Sequence, residues 1–289
     1  MPELPEVETM RRCVLPIVGS RIRDVRRLGR GLCPIEILPG LRSLRARVRG
    51  RTITAVERAG KRVVIVLDGG DRIVVEPRMT GLVLLAAPPD NAHLRLVLEL
   101  EGGAAQQVLF WDQRGLGIVR LVGTDGFQAL YGPTRLGPDA AEIDAGTLRQ
   151  RLGGSHRPIK VALLDQRALA GVGNLYASEI LHRARIHPAL PCCRLRAAQW
   201  RRLQAELRTV LQDAIALEGS TLADGTYRVG QGQNGGFQDY HRVYQRTGKA
   251  CVQCCRGRVI RIVQAQRSTF FCPRCQRLPR DLRGPATRE

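Results

Sequence analysis

The chain has 289 residues, 44% of them hydrophobic, and a formal net charge of +20 from 46 basic and 26 acidic side chains. That length and apolar content exclude a disordered chain and suit two globular domains, and neither a membrane-spanning apolar run nor a signal peptide is legible. The charge excess calls for a polyanionic partner, nucleic acid first, although aromatic residues, at 4%, are too few for a base-stacking single-strand platform.

The chain opens "MPELPEVETM". A small residue behind Met1 permits removal of the methionine, which leaves Pro2 as the terminus with a secondary amine. A helix is predicted over residues 5–17. Pro5 suits its first turn, Glu6 and Glu8 favour its positive end, and Val7, Met10, Val14 and Ile17 recur at helical spacing. From Arg21 to about Val122 the pattern turns to strands. "RTITAVE", "RVVIVL", "RIVVE", "LRLVLEL", "QVLFW" and "GIVRLV" are short, rich in β-branched residues and separated by turns such as "DGGD". A β-sandwich or barrel is expected. "GTDGFQALYGPTRLGPDAAEID" reads as a connector. Helical segments follow in "IKVALLDQ", "NLYASEILHRA" and around residues 197–218, then a glycine-rich loop, "DGTYRVGQGQNGGF". The expectation is an α+β chain: a β-rich domain over 1–125, a linker over 126–146, a helical domain over 147–235 and a metal-binding hairpin over 236–280.

The nine cysteines carry no export signal, which points to a reducing, cytoplasmic setting and to metal rather than disulfides. Cys251 and Cys254 in "CVQC", with Cys272 and Cys275 in "CPRC", form two knuckles able to close a tetrahedral, structural zinc site. Cys255, beside Cys254, leaves a register ambiguity that the spacing resolves towards Cys254. Between the knuckles "RVIRIV" and "TFFC" alternate like a hairpin, whose turn "QAQRS" would place Arg267 at the tip. An arginine-tipped, rigid hairpin suits insertion into a nucleic-acid groove. Cys13, Cys33, Cys192 and Cys193 have no matching spacing and read as ordinary thiols.

"LLDQRALAGVGNLYASEIL" places a helix, a turn holding Gly171 and Gly173, and a second helix opened by Asn174. Asn174 suits an N-cap, and the amides behind it would make a phosphate seat; a plain capped helical hairpin fits the same residues equally well.

These features together resemble the formamidopyrimidine-DNA glycosylases. "MPELPEVET", Lys61, "RMTG", "LDQRALAGVGNLYASEIL", "GGFQDYHRVYQRTG" and "QRSTFFC" carry the resemblance from residue 2 to about residue 276. It implies a helix-two-turn-helix glycosylase and AP lyase for oxidised purines, one structural zinc ion, and duplex DNA with damaged or abasic sites as partner. A duplex held by two domains needs only a monomer. In such enzymes Pro2 is the nucleophile, Glu3 the proton-transfer residue, and Glu6 a carboxylate that steers sugar or base. Lys61 and Arg267 also belong to the catalytic set: both would hold phosphates beside the extruded nucleotide with Gly173 and Asn174, Lys61 with a proton-transfer role as an alternative, and Lys160 would line the lesion pocket. A solvated turn lysine and a helix-surface lysine are the simpler readings of Lys61 and Lys160. Met79, Arg114 and Leu116 match the residues that fill the gap in the stack, Leu116 standing where the family has phenylalanine; core packing is the plainer account of Met79. Glu76 and Pro77 replace a histidine and a leucine, and Pro77 should end the strand or demote it to an edge. Ser220, Thr221 and Tyr227 are candidate contacts of a capping loop. The alternatives are an oxidised-pyrimidine enzyme and a lesion-binding protein without chemistry.

Overall fold

The computed structural model describes residues 2–28, 35–222, 225–229 and 232–282; Met1 and Cys33 lie outside them. Helix α1 spans Leu4–Cys13, shorter than expected. Pro16 is the reason: its nitrogen cannot donate to the preceding turn and its ring disfavours helical backbone at Leu15. The chain tightens into a short 3-10 turn over Leu15–Ile17, and the stripe Val7, Met10, Val14 and Ile17 is still buried.

Two sheets follow. One orders β1 (Arg21–Arg27), β7 (Leu94–Glu101), β8 (Gln107–Asp112) and β6 (Gly81–Leu84), all antiparallel. The other orders β2 (Glu36–Leu38), β9 (Ile118–Val122), β5 (Arg72–Glu76), β4 (Val63–Leu67) and β3 (Ile53–Arg58), parallel only between β2 and β9. Val25, Leu96 and Leu98 of the first sheet share one apolar cluster with Ile65, Ile73 and Val75 of the second and with Val7 and Met10 of α1. The fold is therefore a sandwich with α1 against its core. Pro77 does end β5, yet β5 is an interior strand, not an edge; the proline falls one residue past the ladder, where no amide is needed.

Two helices interrupt regions read as strand and connector. Helix α2 (Leu41–Val48) buries Leu44 and Val48, a spacing masked in the sequence by its arginines. Helix α3 (Thr124–Tyr131) sets Phe127 and Tyr131 four residues apart, against Val64 and Val74 on the outer face of the second sheet. Helix α4 (Ala145–Leu152) starts at Asp144, whose Oδ1 accepts the amides of Gly146 (2.7 Å) and Thr147 (3.0 Å). Helices α5 (Ile159–Leu163), α6 (Asn174–Arg183) and α7 (Ala197–Ala216) and a hairpin of β10 (Ile260–Gln264) and β11 (Arg267–Phe271) complete the chain.

The chain forms two compact units, Met1–Leu136 with Asp213–Asp239, and Gly137–Gln212 with Tyr240–Glu289. The boundaries differ from the four segments drawn from sequence. Residues 213–239 join the first unit because Tyr227 and Val229 enter its core and the Ser220 amide binds Glu6.

Glu8 does more than complement the helix dipole. It is buried, and its oxygens accept from Arg11 (2.8 Å), Arg12 (2.8 Å) and Arg58 of β3 (3.2 Å). Burial pushes its carboxyl upward, but the hydrogen bonds from Arg11 and Arg12 outweigh this and hold it at about 2. A depressed carboxylate stabilises the fold above its unfolded value, and that contribution disappears as pH falls from there through about 2. Glu8→Gln should therefore cost about 1 kcal/mol near neutrality, allowing for solvent screening, with the deficit closing as acid is added. Denaturant titrations across that pH range read the effect.

Candidate functional site

In the first unit, Pro2 is buried at the head of α1, followed by Glu3, itself 3% exposed. Glu6 reaches back one turn: its Oε2 accepts the Glu3 amide at 2.8 Å. Its Oε1 accepts the Ser220 amide at 2.9 Å, so one carboxylate ties the first residues to the glycine-rich loop. Gly219 permits that approach. It has φ +78°, and a Cβ there would stand 2.7 Å from Glu6 Oε1. The loop is knitted from within. The Thr221 hydroxyl donates to the Tyr227 carbonyl (2.9 Å) and accepts the Gly235 amide (2.9 Å), while the buried Tyr227 hydroxyl donates to the Glu218 carbonyl (2.8 Å). Ala223, Asp224, Gly230 and Gln231 of this loop are outside the described residues.

Lys61 is half-buried in the β3–β4 turn, where the Ala59 amide donates to the Arg62 carbonyl at 3.1 Å. Met79 is 37% exposed and Leu116 47%, so neither is core. Arg78, with φ +56°, turns the chain just before Met79. The two loops that carry Met79 and Leu116 are joined through Thr80 and Asp112, which the sequence reading did not single out. The Thr80 hydroxyl donates to Asp112 Oδ1 (2.5 Å) and accepts the Arg114 amide (3.0 Å), and Asp112 Oδ2 accepts the Gly117 amide (2.7 Å). Asp112 is fully buried. The structure thus brings Met79, Arg114 and Leu116 together on adjacent loops at one end of β6 and β8, where Gly81 pairs with Asp112. Glu76 is buried too. Its Oε1 accepts the Tyr131 hydroxyl (3.0 Å), and its Oε2 lies 3.3 Å from Arg62 Nε and 3.9 Å from Arg78 Nε. Burial and then this carboxylate push the Tyr131 hydroxyl upward.

In the second unit, the cap of α6 is Gly173, and Asn174 is the first helical residue. The expected N-cap is displaced by one position because the Asn174 side chain serves another partner: its Oδ1 accepts Lys160 Nζ at 2.5 Å. Lys160 is not a surface lysine. It is fully buried on α5, and its ammonium also donates to Thr269 Oγ1 (2.9 Å) and the Ser268 carbonyl (3.3 Å) of β11. Each of these acceptors can take one proton of the ammonium group. Lys160 therefore joins the start of α6 to the hairpin. The turn before α6 is stitched by Gln166, whose Nε2 donates to the carbonyls of Leu164 (3.1 Å) and Val172 (2.9 Å) and whose Oε1 accepts the Gly171 amide (2.9 Å).

The hairpin turn is tighter than "QAQRS" suggested. Gln264 pairs directly with Arg267, so the turn is Ala265–Gln266, with φ of +45° and +60°. Positive φ at both positions is the backbone that matches strand twist in a two-residue hairpin. Arg267 is thus the first residue of β11, exposed beside the tip.

Cys251, Cys254, Cys272 and Cys275 place their sulfurs within 4.8 Å of one another. The Cys251–Cys275 and Cys254–Cys272 separations are 3.7 and 3.9 Å. A tetrahedron with metal–sulfur bonds of about 2.3 Å has edges of roughly 3.8 Å, so the donors fit zinc. The Arg256 amide, against the opposing effect of burial and helped by that of Gly257, holds the Cys254 thiol down at about 6. Cys255 is exposed, has φ +53° and is not in the cluster. The four cysteines are positioned to bind one zinc ion. Among the described residues no helix is long and apolar enough to cross a membrane.

Residues 1–119 match the formamidopyrimidine-DNA glycosylase N-terminal domain, residues 136–225 the H2TH domain of the same glycosylases, and residues 248–278 a zinc finger found in FPG and IleRS. The formamidopyrimidine-DNA glycosylase of Chloroflexus aggregans (strain MD-66 / DSM 9485) is 42% identical over 281 residues, covering 96% of this chain and 98% of that one. The crystal structure of the MutM (Fpg) protein from Thermus thermophilus superposes with a TM-score of 0.82 at 40% identity, over 95% of this chain and 98% of that chain. The Lactococcus lactis Fpg, in complex with DNA containing an abasic site, gives 0.83 at 31% identity, over 96% and 100%. With every domain matched and relatives aligned along almost its whole length, the chain belongs to the formamidopyrimidine-DNA glycosylase family.

Proposed function

We propose that this chain removes oxidised purines, formamidopyrimidines and 8-oxoguanine among them, from duplex DNA and then cleaves the strand at the resulting abasic site. The observation that carries this reading is a buried Pro2 beside Glu3 and Glu6 at the head of α1. Related structures support the substrate class, since Lactococcus lactis Fpg has been crystallised with abasic-site DNA and with Fapy-dG DNA.

Once Met1 is removed, the Pro2 nitrogen is an amine with a reference pKa of roughly 8, so a useful fraction carries a free lone pair near neutrality. That lone pair attacks C1′, the bond from C1′ to the damaged base breaks, and the base leaves with a proton supplied by an acid, the role assigned to Glu3. Ring opening gives an iminium ion, because a secondary amine cannot form a neutral imine. The cation draws electrons from C2′, whose proton is lost as the 3′ phosphate departs; a second elimination expels the 5′ phosphate, and water releases Pro2. Zinc held by Cys251, Cys254, Cys272 and Cys275 would supply no step of this chemistry and would keep the hairpin in shape.

The base must leave the stack for this chemistry. Met79 and Leu116 are assigned to the vacated space and Arg114 to the opposite base, Leu116 offering less stacking surface than an aromatic wedge. Lys61, Asn174 and Arg267 are assigned to phosphates, Asn174 with the Gly173 backbone, and Lys160 acts by holding Asn174 and β11. Sodium borohydride added during reaction with an 8-oxoguanine duplex should reduce the iminium and leave a covalent protein–DNA adduct. Strand binding without any trapped adduct would instead indicate a lesion-binding protein, and trapping confined to oxidised pyrimidines would reassign the substrate.

A further inference from the structure

Helix α6 meets the metal module at a side chain that the reaction does not use. His182 is fully buried in its last turn, with Nε2 3.3 Å from Cys251 Sγ. Its Nδ1 is also buried and has no hydrogen-bond partner among the described residues. A neutral imidazole carries one N–H. Placed on Nδ1, that proton would be a buried donor with nothing to meet, and the Nε2 lone pair would face the sulfur's own electrons. Placed on Nε2, it points at sulfur, and only an unmet acceptor is left at Nδ1, a smaller cost than an orphaned donor together with two facing lone pairs. The imidazole is not one of the four clustered donors, so it stands behind the metal site, not in it.

We propose that His182 is a positioning residue of the zinc centre, donating Nε2–H to the Cys251 thiolate and so fastening that ligand to α6. Four thiolates outweigh the charge of one zinc ion, and a hydrogen bond to a ligand sulfur offsets part of the excess while fixing its direction. Neighbouring contacts extend the same attachment. Glu179, one turn earlier, accepts the amides of Arg242 (2.9 Å), Val243 (3.0 Å) and Tyr244 (2.8 Å) just ahead of the module. Just past α6, the Ile186 carbonyl accepts Gln276 Nε2 (2.8 Å), and Gln276 Oε1 accepts the Cys272 amide (3.0 Å). Both knuckles are thus held from α6 and the residues after it, Cys251 through His182 and Cys272 through Gln276. The other end of α6 is Asn174, already bound through Lys160 to β11. The metal centre and the proposed phosphate contact share one helix.

The test uses the full-length, zinc-loaded chain. His182→Phe keeps a ring but removes the donor; His182→Gln restores an N–H. Transfer of zinc to a chelating dye should be about tenfold faster or more in His182→Phe and return towards the parent rate in His182→Gln. In the cobalt-substituted proteins the sulfur-to-metal charge-transfer band should move to longer wavelength in His182→Phe only. Equal release from parent and His182→Phe overturns the proposal, as does equal acceleration in both variants, which would assign the ring to packing. If His182→Phe does not fold, the parent chain labelled with 15N-histidine and loaded with 113Cd decides. A coupling between cadmium and the Nε2–H across sulfur is expected, and an Nδ1–H tautomer or no coupling overturns it.

Discussion

Fusing any unremoved residue ahead of Pro2 should abolish the borohydride-trapped adduct, by at least about a thousandfold, the scale on which loss of a nucleophile is felt. The nitrogen then belongs to an amide, and its lone pair is delocalised into the carbonyl. Duplex affinity should stay within about threefold of the parent, because the proposed cationic contacts to phosphate are untouched. Pro2→Gly makes a finer probe. A primary amine still condenses with C1′, but its imine must be protonated before it withdraws electrons, so the elimination steps should slow more than the trapping does. An extended protein that nicked abasic DNA at the parent rate would show that the nucleophile lies elsewhere.

Replacing Lys160 by methionine should weaken binding to an abasic duplex by about 10- to 100-fold and lower the stability of the second unit by about 3 kcal/mol. Methionine fills a similar volume but gives Asn174 Oδ1, Thr269 Oγ1 and the Ser268 carbonyl nothing to accept. A hydrogen bond to a charged group contributes roughly 1.5–3 kcal/mol, and a buried acceptor left unmet costs a comparable amount. The loss of affinity is indirect: both Asn174 and the strand that begins at Arg267 are freed at once. Anisotropy titrations at one fixed salt concentration, paired with thermal melts, separate the two effects. Full affinity in a destabilised variant would mean that the phosphate contacts do not depend on this lysine.

What could be read from residues alone was whatever depends on local spacing. The paired CxxC knuckles fix a metal site because thiolate chemistry fixes the distance between ligands, and β3, β4, β5, β7, β8 and β9 announce themselves by short apolar runs, whereas β1, β2 and β6, arginine-rich or very short, do not. The family motifs brought Pro2, Glu3 and Glu6 forward, although only the structure revealed that Glu6 joins Glu3 to Ser220, a partner more than two hundred residues away. Lys160 was named through the same motifs, but its burial was hidden: a lysine in a short helix looks solvated until acceptors on β11 and at the start of α6 converge on it. Thr80, Asp112, Glu179 and His182 do their work mainly through hydrogen bonds to residues distant in sequence, and no periodicity marks such residues. Helix α2 was missed because arginines filled its outer face, and α3 because its glycine and flanking prolines suggested a connector; both are decided by two apolar side chains meeting a sheet.

The carboxylate that grips both the Glu3 amide and the Ser220 amide sets a rule for anyone recasting lesion choice by loop exchange. A donor loop that lacks glycine at position 219, or that enters at another angle, would lever Glu6 away from the opening turn and misplace Pro2, the proposed nucleophile. Grafts over 217–238 should therefore travel with residues 3–6 of the same parent, as one inherited piece.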